Sequence, residues 1–244
     1  MIYHARKGQV SYGQPIGILL METQAPFIPG DVGNAYSFSF PVRYETVPGL
    51  TAQKVFDRDA TGIATLVAAA KKLEHEGVQA ITGDCGFMAY YQRYVMEEVE
   101  VPVFLSSLLQ LSFIDLLLPP RKKIGIVTAN APLLNASLLQ AVGLTINEER
   151  LVIRGMQESP SFSAAFLQET GTLDSTEVER DVVAVAKQLV HDDPSVGAVL
   201  LECSDLPPYA NKVHEAIHRP VFDYITMINY VQSTVTKQVF EGNL

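Results

Sequence analysis

The chain contains two cysteines, Cys85 and Cys203, and each stands 17 positions before a Pro-Val-Phe tripeptide, at 102–104 and at 220–222. Cysteine and tripeptide are therefore offset by the same 118 residues. Each cysteine is preceded by an acid, Asp84 or Glu202, and each follows a short apolar run of strand character, Val78–Thr82 or Val196–Leu201. Earlier in each copy, Gln14-Pro15-Ile16-Gly17-Ile18-Leu19 is echoed by Lys122-Lys123-Ile124-Gly125-Ile126-Val127, with an offset of 108 between Gly17 and Gly125. The difference between the two offsets places a net ten-residue insertion in the second copy, ahead of its cysteine. This pattern constrains the fold strongly: the chain reads as a diverged internal duplication, two units of similar topology with one cysteine at the equivalent place in each.

The units read as α/β. Ile16–Met21 is a continuous apolar run, as expected of a strand buried on both faces of a parallel sheet. Ile63, Leu66, Val67, Ala70 and Leu73 recur at helical spacing and Gly77 follows as a stop, so the pattern predicts a helix over 62–76. Further helices are predicted at about 87–98, 105–118, 207–218 and 223–240. Another is predicted to open at Thr176 with Glu179 as its capping-box partner. Strands alternating with helices imply mostly parallel sheets. Residues 24–50 break the rhythm, with Pro26, Pro29, Gly30, Gly33, Pro41, Pro48 and Gly49 among several aromatics. A loop this long is either functional, such as a lid, or an ordered excursion packed by its own rings.

Composition narrows the class. The 244 residues carry a net charge of −9 and are 48% hydrophobic, as in an ordinary globular protein. With no basic patch, nucleic acid is not an expected partner. The most apolar run, 103–118, is interrupted by three serines, a glutamine and Asp115, so no membrane span is expected. The first residues lack a signal-peptide core, so a cytoplasmic location and reduced thiols are expected. There is no glycine-rich phosphate loop and no nucleophile elbow.

Ligands of parallel α/β sheets bind beyond the carboxyl ends of the strands, and both cysteines lie there. Helix-start N–H groups nearby are expected to lower the thiol pKa. Two opposed thiols suit proton removal from one face of a carbon next to a carboxylate and proton return to the other. The Gly86-Phe87 and Ser204-Asp205 turns could supply N–H donors for the enolate-like charge that develops. Asp84 and Glu202, one residue before each thiol, point to the opposite face of their strands and so are expected to orient backbone. His214 and His218 are one helical turn apart but lack a partner motif for metal, and no metal site is expected.

These residues, Gly83-Asp84-Cys85-Gly86-Phe87 in one half and Leu201-Glu202-Cys203-Ser204-Asp205-Leu206-Pro207-Pro208 in the other, resemble the aspartate/glutamate racemase superfamily, over roughly residues 16–240. The superfamily also includes hydantoin racemases, maleate isomerases and arylmalonate decarboxylases. The resemblance implies two pseudosymmetric α/β domains with an active site at their interface and catalysis without cofactor. It also implies an exchanged terminal helix, giving a first domain of 1–104 plus 223–244 and a second of 105–222. Cys85 and Cys203 are the catalytic pair it implies, with Gly86, Phe87, Asn130, Ser204 and Asp205 as substrate contacts. Two departures stand out: the amino-acid racemases usually carry Asn-Thr after the first cysteine, and Thr followed by Glu or His after the second.

The function expected on these grounds is a cofactor-independent racemase or epimerase of an amino acid or derivative, an isomerase using a thiolate/thiol pair. Two alternatives stay open, a cis-trans isomerase of an unsaturated diacid and a two-lobed binder without turnover. The expected partner is a small-molecule carboxylate, with a homo-oligomer, by default a dimer, as the quaternary state.

Overall fold

The structure, a computed structural model, describes residues 2–143 and 147–242. Met1, residues 144–146 and residues 243–244, which the domain ranges above include, lie outside the described residues. Two four-stranded sheets make up the framework. The first is built from β1 (Ile16–Glu22), β2 (Val42–Thr51), β3 (Ala80–Gly83) and β4 (Val103–Phe104), in the order β2-β1-β3-β4. The second is built from β5 (Lys123–Thr128), β6 (Leu151–Gly155), β7 (Val196–Leu201) and β8 (Val221–Phe222), in the order β6-β5-β7-β8. Every pairing within both sheets is parallel. The two halves thus share one topology, as the repeated cysteine and Pro-Val-Phe spacing implies.

The central strands are apolar because helices cover them. Ile16, Ile18 and Leu19 of β1 and Ile124, Ile126 and Val127 of β5 are fully buried. Gly17 and Gly125 mark where the covering helices pass closest. A Cβ on Gly17 would lie 3.0 Å from Leu73 of the helix Ile63–His75, and one on Gly125 would lie 2.6 Å from Leu189 of the helix Ser175–Asp192. The shared Ile-Gly-Ile therefore has one structural cause in both halves, a helix seated directly on the first strand.

The chain crosses between halves through Leu105 and the adjacent Ser106 and Ser107, all fully buried. The final helix, Tyr224–Val235, returns to the first sheet: Tyr224, Met227 and Ile228 pack with Ile16, Ile18, Ala80 and Phe104. Asp223 caps that helix by accepting from the Thr226 N–H at 2.7 Å, and Tyr224 donates its hydroxyl to the Leu105 carbonyl at 2.8 Å. Among the described residues, no helix is long and apolar enough to cross a membrane.

Several sequence expectations are corrected. Part of the long 24–50 segment is a strand, β2, at the sheet edge. Its Pro48 and Gly49 suppress a strand reading, yet an edge strand tolerates both because one side of its backbone is unpaired. The helix near 176 is capped by Asp174, whose carboxylate accepts from the Thr176 and Glu177 N–H groups at 3.1 Å each, and not by Thr176. The helices expected at 87–98 and 105–118 each begin with a tighter turn, Gly86–Tyr91 and Ser107–Gln110, and only then become regular. The final helix stops at Val235 rather than 240.

Candidate active site

Both cysteines stand just after the last residue of a central strand, Cys85 after β3 and Cys203 after β7. Each begins a turn closed by its own carbonyl, which accepts from the Met88 N–H at 2.9 Å and from the Leu206 N–H at 3.2 Å respectively. The two turns face each other. Ser204 donates its hydroxyl to the Asp84 carbonyl, joining one cysteine turn to the other. The crossover serines hold one turn each: Ser106 donates to the Gly86 carbonyl at 2.6 Å and Ser107 to the Glu202 carbonyl at 2.7 Å. Cys85 and Cys203, each 6% exposed, line one cleft between the halves.

Of the residues named from sequence, Gly86, Phe87, Ser204 and Asp205 line this cleft with the thiols. Asn130 does not reach its wall; its neighbour Ala129 does. Sequence reasoning missed Met21 at the end of β1, Phe56, and Phe166 with Leu167. The last two belong to the turn Ser163–Leu167, a wide π-type turn between β6 and the helix Ser175–Asp192, where the first half places the short helix Ala52–Phe56. Such turns cluster at functional sites, but nothing in the local residue pattern announces one.

Gly86 is required by a close approach across the halves. A Cβ there would lie 1.7 Å from Glu202 Oε1 and 2.8 Å from the Glu202 carbonyl oxygen. The backbone clash cannot be relieved by a rotamer change. Gly86→Ala is therefore expected to cost about 1–3 kcal/mol, read as a lower urea midpoint with an unchanged slope.

The cleft is acidic. Asp84 and Glu202 do more than orient backbone: both line it, and each keeps one carboxylate oxygen buried without a hydrogen-bond partner, Oδ1 and Oε1. Their other oxygens accept from the Met21 N–H at 2.9 Å and from the Thr128 hydroxyl at 2.7 Å. Burial pushes both carboxyls up to about 7. Asp205, expected as a substrate contact, accepts from the Cys203 thiol at 3.2 Å. No lysine or arginine is among the lining residues.

The thiols are held up, not down. Burial, then the carboxylates of Glu202 and Asp84, raise Cys85 well above the ordinary thiol range, against the lowering effect of the Phe87 N–H. Burial, then Asp205 and Glu202, do the same to Cys203, against the Asp205 N–H. The expected lowering by helix-start N–H groups is present at each sulfur, but desolvation and like charge outweigh it. The surroundings are also unequal. Two residues after Cys85 stands Phe87, whose ring meets Phe56 edge-on at 5.1 Å between centroids; two residues after Cys203 stands Asp205.

No protein-family model matches the chain. Over 224 residues it is 34% identical to dimethylsulfoniopropionate lyase 7 of Emiliania huxleyi, a match covering 88% of this chain and 65% of that protein. Over 223 residues it is 30% identical to the dimethylsulfoniopropionate lyase of Durusdinium sp. clade D, covering 88% of this chain and 73% of the relative. The chain belongs to the dimethylsulfoniopropionate lyase family. It spans 65% and 58% of the length of lyases 7 and 3 of Emiliania huxleyi.

Solved structures place this lyase-family chain in the fold of the aspartate/glutamate racemase superfamily. Glutamate racemase RacE1 of Bacillus anthracis superposes with a TM-score of 0.60 at 12% identity, covering 91% of this chain and 81% of that one. Allantoin racemase of Pseudomonas fluorescens gives 0.60 at 14%, covering 90% of each chain. Arylmalonate decarboxylase gives 0.57 at 16%, covering 91% of this chain and 92% of the other. At these identities the likeness is one of fold. The sequence-based expectation of an amino-acid racemase, with its isomerase and binder alternatives, is therefore corrected: the curated relatives at 30–34% identity over 88% or more of the chain are lyases. The inference to a racemase rested on matched thiols. Phe87 two residues after Cys85 and Asp205 two residues after Cys203 break the symmetry that the matched thiols imply.

Proposed function

We propose that the chain cleaves dimethylsulfoniopropionate, the compound its relatives are named for, into dimethyl sulfide and acrylate. The observation that carries this reading is the character of the cleft. Three carboxylates (Asp84, Glu202, Asp205) and three phenylalanine rings (Phe56, Phe87, Phe166) surround the two thiols, with no lysine or arginine among the lining residues. The substrate is a zwitterion with a carboxylate at one end, a dimethylsulfonium at the other and two methylenes between. A weakly hydrated sulfonium is drawn both to carboxylates and to ring faces. A dicarboxylic amino acid would meet repulsion from the same wall.

The chemistry needs one base. A thiolate removes a hydrogen from the carbon next to the carboxylate. The C–H electron pair becomes the carbon–carbon double bond, and the C–S bond breaks with its electrons leaving on sulfur as neutral dimethyl sulfide. The α-hydrogen returns the thiol to its protonated resting form, and the one proton released per turnover is the one the thiol gave up when the thiolate formed. N–H groups of the Gly86-Phe87 and Ser204-Asp205 turns are proposed to receive the negative charge that builds on the substrate carboxylate. The incoming cation itself counters the carboxylates that hold the thiols protonated, so thiolate forms when substrate binds. The cleft as it stands is narrow, about 30 Å³, and is proposed to widen to admit substrate.

The test is to supply the purified protein with dimethylsulfoniopropionate and measure headspace dimethyl sulfide by gas chromatography and acrylate by liquid chromatography. Equimolar release of both is expected. Release no faster than in buffer at any pH from 6 to 9 overturns the reading.

A further inference from the structure

The long segment before β2 carries a carboxylate into the back of the site. Residues 23–41 close onto the second half: the Gln24 N–H donates to Glu169 Oε2 at 3.3 Å, and Gly30, at φ +104°, lies so close to Pro208 that a Cβ would sit 2.8 Å from its Cα. The next residue, Asp31, is 2% exposed and shares a hydrogen bond with Asp205. Its loop is fixed locally, since Asp31 Oδ1 accepts from the Gly33 N–H at 2.8 Å and Ser37 donates to the Asp31 carbonyl at 2.5 Å. Asp205 in turn accepts from Cys203. A continuous line Asp31–Asp205–Cys203 thus runs from the loop of one half to the thiol of the other. At the equivalent position beside Cys85 the residue is Phe87, and of the two thiols Cys203 is the one seen to donate to a carboxylate.

We propose that Asp31 is a positioning residue that holds the Asp205 carboxylate against Cys203, so that Asp205 takes the thiol proton and Cys203 acts as the base of the elimination. The inference rests on the lyase reading above. In the step, the Cys203 S–H bond breaks and an O–H bond forms on Asp205. The thiolate then takes the substrate's α-hydrogen, and the proton on Asp205 leaves to solvent after products depart, restoring both groups.

Burial, with the charge of Asp205, raises Asp31 well above the ordinary carboxylate range, so Asp31 keeps a proton and donates it to Asp205. The titratable groups facing this pair are Asp84 after β3, Cys85, Glu202 after β7, Tyr44 on β2, Tyr209 before the helix Ala210–Ile217, Glu169 after the Ser163–Leu167 turn, and Cys203 itself. All are neutral or negative. No cation in this group competes for Asp205: burial raises its carboxyl, and the hydrogen bonds from Asp31 and from Cys203 are the contacts that favour its ionised form.

The experiment uses the Cys85→Ser protein, in which iodoacetamide alkylates Cys203 alone, so that it reads thiolate without turnover. If Asp205 takes the proton, the log of the alkylation rate has a flat shoulder below the thiol's own titration, where proton transfer within the pair supplies thiolate independently of pH. The shoulder is expected to disappear in Asp205→Asn. In Asp31→Ala its acid edge moves up by about one pH unit and the rate within the former shoulder rises by up to about tenfold, because Asp205 without that hydrogen bond is the stronger base. Asp31→Asn, whose amide also donates, keeps it and shows that the protein is folded. A single rise with pH, superimposable in all four proteins, overturns the proposal. Dimethyl sulfide release by the unaltered protein is scored separately, so loss of the lyase reading and loss of the Asp31 role are distinguishable.

Discussion

Replacing Cys203 with serine is expected to lower dimethyl sulfide release by about 10²–10⁴-fold, and Cys85→Ser, which leaves that base in place, to lower it by less, with thermal stability nearly unchanged in both. The magnitude is that of removing a positioned proton-transfer group. Serine keeps the volume within one heavy atom but is far too weak an acid to form the anion in this acidic surround. Both thiols stand in the same cleft with 6% exposure, so neither substitution opens a large cavity. Groups that act as a unit lose little more when both are removed, so the double variant is expected to fall no further than the worse single one. A double variant that retains wild-type release would remove the thiols from the chemistry.

Glu202→Gln and Asp84→Asn are expected to make the protein more stable above neutral pH and a poorer catalyst. Both carboxyls are held up to about 7 by burial, above their ordinary values of 4.5 and 3.8. Between about pH 4 and 7 the folded state therefore binds more protons at these sites than the unfolded state does. Stability contributed by the protonated forms is complete at low pH and is lost as pH rises through 7. At pH 8 each buried charge opposes folding by an amount on the order of 3 kcal/mol. The amide variants escape that cost, and at this chain length their melting temperature at pH 8 should rise by about 6–12 °C. The gain should vanish near pH 4. Catalysis moves the other way. If the free carboxylate oxygens receive the sulfonium, KM rises in both variants, and in the unaltered protein KM rises as pH falls below 7. Equal melting temperatures at pH 8, or a KM indifferent to both changes, would contradict this account.

Much of the framework was legible in the residues alone. The repeated cysteine and Pro-Val-Phe spacing gave the duplication, and the Ile-Gly-Ile echo marked the two strands under their covering helices. The thiols and the Gly86-Phe87 and Ser204-Asp205 turns come together at one cleft because strand ends are where parallel sheets present side chains. What escaped was not local. Met21, Phe56 and Phe166 are ordinary apolar residues until the fold brings them to the thiols. Asp31 acquires meaning only because Gly30 lets its loop press on Pro208. The direction of the thiol shifts failed for the same reason: helix-start N–H groups can be read from sequence, whereas the burial and the carboxylates that outweigh them depend on how the two halves meet. The racemase expectation failed because the duplication drew attention to what the halves share, when Phe87 and Asp205 are where they part.

Ser106 and Ser107 are neighbours in the chain, yet one grips the turn of Cys85 and the other the strand end before Cys203. The two reactive corners are pinned to a single dipeptide at the crossover. The Cys85 turn and the strand end before Cys203 are thereby registered through adjacent residues of the connection between the halves, so a substitution at either serine moves one sulfur's corner relative to the other.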